Sequence, residues 1–199
     1  MANINLFDGT SNLHTGSVFL KALGELSNYQ RVLVSPIPGK IDLPGYYFVK
    51  ELVRFSYEPR RKQVNLNTFL QRFEMINPNR NPNSQNVILL EEDIFRPGLN
   101  WCFGESGNLN NQNYIVVSTA RIENERELQD WMCHELGHMY GAARKGRSNT
   151  IEALGSHCTN DLCVMQQKVS VKEAREYTKM RELLNAPTYC PQCQNDLRR

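Results

Sequence analysis

Over residues 15 to 27, Val18, Leu20, Leu23 and Leu26 recur in a roughly helical rhythm, so this stretch has one apolar face and predicts a helix. Arg31 to Ser35 (RVLVS) then reads as a buried strand ended by Pro36 and Pro38. Leu66, Phe69, Leu70, Phe73 and Ile76 repeat at three- and four-residue intervals, predicting a second amphipathic helix that the run Asn77-Pro-Asn-Arg-Asn-Pro-Asn83 breaks. Asn86 to Leu90 (NVILL) and Tyr114 to Ser118 (YIVVS) are short β-branched runs between turn residues, and both read as central strands. Leu99 to Phe103 is a weaker strand between them, and Gly104 to Asn113 is a polar loop.

Asn124 followed by Glu127 has capping-box spacing, and Leu128, Trp131, Met132, Leu136 and Met139 supply the apolar stripe of a helix that should end at Gly141. A last helix starts at Ser170, paired with Glu173, and runs through Ala174, Tyr177 and Leu184 before Pro187. Alternating helices and strands of this kind give an α/β fold with a mixed sheet of about four or five strands below the helix at 125–140.

A chain of 199 residues suffices for one well-packed domain with a small appendage and is short for two large ones. Its 23 basic and 21 acidic residues leave a formal charge of +2, which excludes a strong nucleic-acid or membrane field. The N-terminal segment lacks a signal-peptide pattern and no run of eighteen apolar residues occurs, so a cytoplasmic protein without membrane attachment is expected, as a monomer. Six cysteines in that reducing setting are not expected to form structural disulfides.

Three of the four histidines fall in one region: His134-Glu135-Leu136-Gly137-His138, then Gly141, then His157-Cys158. Positions i and i+4 share one face of a helix, so His134 and His138 can aim at one metal ion while Glu135 stays available for chemistry. A catalytic zinc takes three protein ligands and keeps one position open for water, so a third ligand must arrive from elsewhere. Gly141 permits the sharp turn that takes the chain back, and His157 is the histidine downstream that completes the set. Glu152 is the alternative third ligand. Cys158, Cys163, Cys190 and Cys193, with inner spacings of four and two residues, suit a closed tetrahedral zinc site of structural type.

From His134 onward the chain resembles the metzincin metallopeptidases, whose pattern is HExxHxxGxxH followed by a methionine turn, and within them the archaemetzincins. In that family the third histidine is followed at once by a cysteine, four residues, a second cysteine, one residue and the turn methionine, with a CxxC near the C-terminus. Here the corresponding residues are His157-Cys158, Cys163-Val164-Met165 and Cys190-Pro-Gln-Cys193, and Glu92 to Ser106 resembles the stretch upstream of the zinc helix. The resemblance covers roughly residues 86 to 193. It implies a metzincin-like domain over 1–199, with sheet and zinc helix in 1–141. The third ligand, methionine turn and four-cysteine subsite then occupy 142–199.

The resemblance also implies two zinc ions per chain, a peptide or unfolded-protein substrate, Glu135 as general base for the attacking water, and Met165 as the apolar floor under the ligands. Gln167 stands where some metzincins carry a tyrosine that assists the oxyanion. Metzincin spacing places the third histidine at 144, which is Arg144 here, and a guanidinium cannot ligate a metal. The segment Arg144 to Ser156 therefore reads as an insertion that rejoins the family register at His157. Its basic residues Arg144, Lys145 and Arg147 read either as a feature of the cleft that favours acidic substrate groups or as a solvated loop. Cys102, Cys133, Trp101 and Phe103 read as core.

Two functional classes follow. One is a zinc metallopeptidase, with aminopeptidase action allowed by the resemblance. The other is a catalytically weak, zinc-stabilised binding or regulatory protein on the same frame. A zinc-ribbon nucleic-acid module is disfavoured by the near-neutral charge.

Overall fold

The computed structural model describes residues 3–12, 14–29, 43–77 and 84–199. In chain order its elements are β1 (Asn3–Asp8), α1 (Thr15–Ser27), α2 (Leu43–Ser56), β2 (Tyr57–Glu58), β3 (Gln63–Asn65), α3 (Leu66–Ile76), β4 (Ser84–Leu90) and β5 (Ile94–Arg96). There follow β6 (Leu99–Cys102), β7 (Gly104–Leu109), β8 (Gln112–Ser118), α4 (Glu125–Met139), β9 (Thr150–Glu152), β10 (Ser156–Cys158), α5 (Val171–Leu183) and α6 (Pro191–Leu197). The strand read at Arg31–Ser35 lies outside the described residues, as does most of the loop after Asn77.

The elements form two compact units. One comprises Met1–Ser17 with Leu33–Ile122, the other Val18–Val32 with Glu123–Arg199. The helix bearing His134 and His138 belongs to the second of these units.

In the first unit a four-stranded mixed sheet has the order β1-β4-β8-β7, with β1, β4 and β8 parallel and β7 antiparallel at the edge. Val87 to Leu90 and Tyr114 to Val117 are all buried, as strands covered on both faces require. Ile88, Leu90, Tyr114 and Val116 alternate onto one face and meet Phe69, Leu70 and Phe73 of α3 and Val49 and Leu52 of α2. The predicted α3 starts where Asn65 caps it, its side chain accepting from Thr68 N at 3.3 Å.

Leu99–Cys102 is a strand, as read; the chain turns back at Pro97-Gly98, with Gly98 at φ +89°, and the strand pairs antiparallel with β5 in a separate small sheet of order β2-β3-β5-β6. One local reading changes. Gly104–Leu109 is the edge strand β7 rather than loop. Its weak strand propensity is overridden by β8, to which the Asn110-Asn111 turn joins it with both residues at positive φ. Gly107 lies opposite Tyr114, whose ring occupies the space a side chain there would need, and Tyr114 Oη donates to Glu105 Oε1 at 2.7 Å.

Phe69, with no exposed surface, sits at the centre of this cluster. Phe69→Ala should lower the unfolding free energy by about 3–5 kcal/mol, read from urea denaturation; a loss near zero would contradict the packing described.

Candidate metal centre

Helix α4 is held at both ends by its own sequence. Asn124 accepts from Glu127 N at 2.9 Å, and the Glu127 carboxylate accepts from Glu123 N at 2.9 Å. At the other end Gly141 takes φ +82°, its N–H donates to His138 O at 3.1 Å, and Ala142 N donates to Gly137 O at 2.8 Å, a Schellman termination. The last turn thus presents His134 and His138 on one face and ends immediately, freeing the chain to return.

It returns as an ordered hairpin. β9, inside the insertion, pairs antiparallel with β10, on which the chain leaves it, Ile151 opposite His157 and Thr150 opposite Cys158. The ring of His157 comes within 5.3 Å of that of His134 and 4.9 Å of that of His138, the latter two rings being 4.7 Å apart. One ligand atom from each lies within 4.8 Å of the others. His134 Nδ1 donates to Val164 O at 2.7 Å, which leaves its Nε2 lone pair for a metal, and that Nε2 is 3.1 Å from His138 Nε2. Tetrahedral zinc with nitrogens at about 2.0–2.1 Å separates them by about 3.3 Å, so the donor set fits.

Burial, with the neighbouring His157, holds His134 down at about 4, the Val164 bond opposing. Burial and the other two rings hold His138 at about 2, and burial lowers His157. All three are therefore neutral near pH 7, the state a metal needs. Glu135 is buried beside them on α4. Glu152 is exposed, pairs with Lys145 Nζ at 2.9 Å, and is outside the cluster; His14 is exposed in the other unit.

The four cysteines form a second cluster. Cys158, Cys163, Cys190 and Cys193 are unbonded and buried, and their sulfurs lie within 4.8 Å of one another. Cys158 Sγ and Cys190 Sγ are 3.7 Å apart. A disulfide needs about 2.05 Å, whereas thiolates around zinc at about 2.3 Å stand about 3.8 Å apart. Backbone N–H groups of Asn160 and Cys190 donate to Cys158 Sγ and Cys163 Sγ, each at 3.4 Å. Hydrogen bonding, first from Cys163, pulls Cys158 down to about 7, while Cys163 is pushed up, foremost by Cys158: four crowded thiols share protons that a cation would displace.

No family model matches the chain. Among curated proteins, it is 31% identical over 119 residues to an archaemetzincin of Pyrobaculum aerophilum, covering 58% of this chain and 62% of that protein. To one of Thermococcus kodakarensis it is 26% identical over 155 residues, covering 72% of this chain and 71% of the relative. The chain thus spans less than two thirds of the length of the first of these relatives. Of solved structures, the archaemetzincin of Methanopyrus kandleri superposes with a TM-score of 0.64 at 19% identity, covering 98% of this chain and 93% of that one. A zinc-dependent peptidase of Methanocorpusculum labreanum gives 0.58 at 16% identity, covering 98% and 100%.

The chain is similar to archaemetzincins in sequence and shares their fold.

As in the archaemetzincin pattern, the methionine turn follows the third histidine, and the structure shows what it rests on. A Cβ built on Gly137, between Glu135 and His138, would overlap Met165 Sδ and come within 3.0 Å of the Tyr189 ring, so only glycine lets the methionine reach the underside of α4. Reading from sequence left Gly137 as an unassigned position of the motif. Nor did it single out Arg181, a charge on helix α5. Arg181 has no exposed surface; it pairs with Asp130 of α4 at 2.5 Å and donates to Leu162 O at 2.9 Å and Pro187 O at 3.1 Å. Tyr189 Oη donates to Cys133 O at 2.7 Å, and Tyr177 Oη to Cys163 O. Nothing local in the sequence signals these long-range bonds.

Gly137→Ala should displace Met165 and cost about 1–3 kcal/mol, seen as a lower melting temperature of the metal-free protein. Adding Met165→Ala to it should return part of the loss. A Gly137→Ala protein as stable as the parent would show that the methionine does not depend on this glycine.

Proposed function

We propose that this chain is a zinc-dependent metallopeptidase holding two zinc ions, one on His134, His138 and His157 and one on Cys158, Cys163, Cys190 and Cys193. The observation that carries the reading is the convergence of three neutral imidazoles, two buried and that of His138 half-buried, from a helix and a returning strand, with Glu135 next to the first of them in sequence. Zinc, when bound, acidifies a water and polarises the scissile carbonyl. Glu135 takes the proton of the attacking water and delivers it to the departing amine. Val164 O orients His134 through Nδ1, and Met165 supplies an apolar floor.

The cysteine-held ion is structural, since four protein ligands leave no open position. Peptides and unfolded protein segments are the proposed substrates, and removal of N-terminal residues is the finer form of the activity. A reducing compartment such as the cytoplasm suits four buried, unbonded thiols. Among the described residues no helix is long and apolar enough to cross a membrane.

Glu135→Ala should lose about 10²–10⁴-fold in hydrolysis of a diverse peptide library while metal analysis still finds two zinc ions per chain. Equal hydrolysis by parent and variant would leave only a binding role. His157→Ala should retain one ion, the cysteine-held one; retention of both would sink the ligand assignment. Peptides with free and acetylated N-termini separate exopeptidase from endopeptidase action.

A further inference from the structure

The thirteen residues by which the chain departs from HExxHxxGxxH bring with them a guanidinium that is nearly out of solvent, the Arg147 side chain being 16% exposed. Its fork is divided between two groups of α6. Nη1 pairs with Asp196 Oδ2 at 2.5 Å, and Nη2 donates to Cys193 Sγ at 3.3 Å. The same carboxylate oxygen accepts from Arg144 N at 3.2 Å, and Thr150 Oγ1 donates to Arg147 O at 2.7 Å. The base of the β9–β10 hairpin is thereby fastened to the helix that contributes Cys193.

We propose that Arg147 is a positioning residue of the four-thiolate zinc site, holding Cys193 by a charged hydrogen bond and clamping the hairpin that carries Cys158 onto α6. The inference rests on the reading of the four cysteines as a zinc site. Four thiolates around one dication leave a net double negative charge in a buried place, which N–H donors to sulfur must offset. Asn160 N and Cys190 N supply neutral donors to Cys158 and Cys163; Arg147 supplies a cationic donor to Cys193, and charge-assisted bonds are roughly twice as strong. Asp196 aims the fork. Without Arg147 its carboxylate, 8% exposed, would face the thiolates with no intervening cation. The inserted segment thus supplies its own anchorage, and two of its three basic residues, Lys145 and Arg147, are engaged with Glu152 and Asp196 rather than with an outside partner.

The test uses the full chain loaded to two zinc ions, challenged with a chromophoric chelator, and its cobalt(II) form, whose thiolate charge-transfer band reports the cysteine site. Arg147→Gln should release the cysteine-held ion about 10–100-fold faster and alter that band, with Arg147→Lys intermediate because it keeps the charge without the fork. Release and spectrum identical to the parent would overturn the proposal. Should Arg147→Gln fail to fold, Arg147→Lys and Asp196→Asn carry the same comparison, and parental release in both overturns it equally. A parent that holds no cysteine-bound ion would overturn the two-zinc reading and this proposal with it, whereas a loaded parent with indifferent variants overturns only the role of Arg147.

Discussion

Successive residues of a β-strand point to opposite sides, and on that constraint the C-terminal unit is built. The three-residue strand β10 carries His157 in the histidine cluster and Cys158 in the cysteine cluster, so one short piece of backbone sets both. Its position is fixed from two directions: β9 pairs with it on one edge, and Cys158 N donates to Met165 O at 2.9 Å on the other. The methionine turn is thereby tied to the same strand that supplies the third histidine, and any displacement of β10 moves both clusters together.

What holds the surrounding loops is a buried cation rather than apolar packing alone. Arg181 joins α4 through Asp130 to carbonyls of the segments leading to Cys163 and to Cys190. A buried ion pair of this kind is weak evidence for net stability, because desolvation offsets its attraction, but its several directed bonds admit one arrangement of three segments. Tyr177 and Tyr189 add hydroxyl bonds to the carbonyls of Cys163 and Cys133, giving buried backbone acceptors their partners. The resulting frame presents neutral imidazoles and crowded thiols, the two chemical states that favour a metal.

The legible parts of the fold were those with strong local periodicity or caps. Helices α1, α3, α4 and α5 follow from spacing and, for α4 and α5, from Asn124 and Ser170, each of whose side chains accepts the expected N–H. Strands β4 and β8 follow from unbroken apolar runs. β7 was illegible because its residues have little strand propensity and its ladder is supplied by a neighbour; β6 was legible as a strand, but its partner was not, since pairing is not a local property. Strands β9 and β10 are too short to show a period, and β9 falls within the segment read as an insertion.

The residue types and spacing by themselves determined the chemistry available: two imidazoles on one helix face, a carboxylate between them, a histidine joined to a cysteine, and four thiols in two pairs. They did so because ligand spacing on a helix and adjacency on a strand are local geometry. Only the tertiary structure decided that the thirteen-residue excursion folds back as a hairpin, that Glu152 turns outward to Lys145 while His157 turns inward, and that Gly137, Arg147 and Arg181 are the residues that hold the arrangement. Those outcomes depend on bonds between groups far apart in the chain, whose partners exist only once desolvation has forced every buried charge and carbonyl to find one.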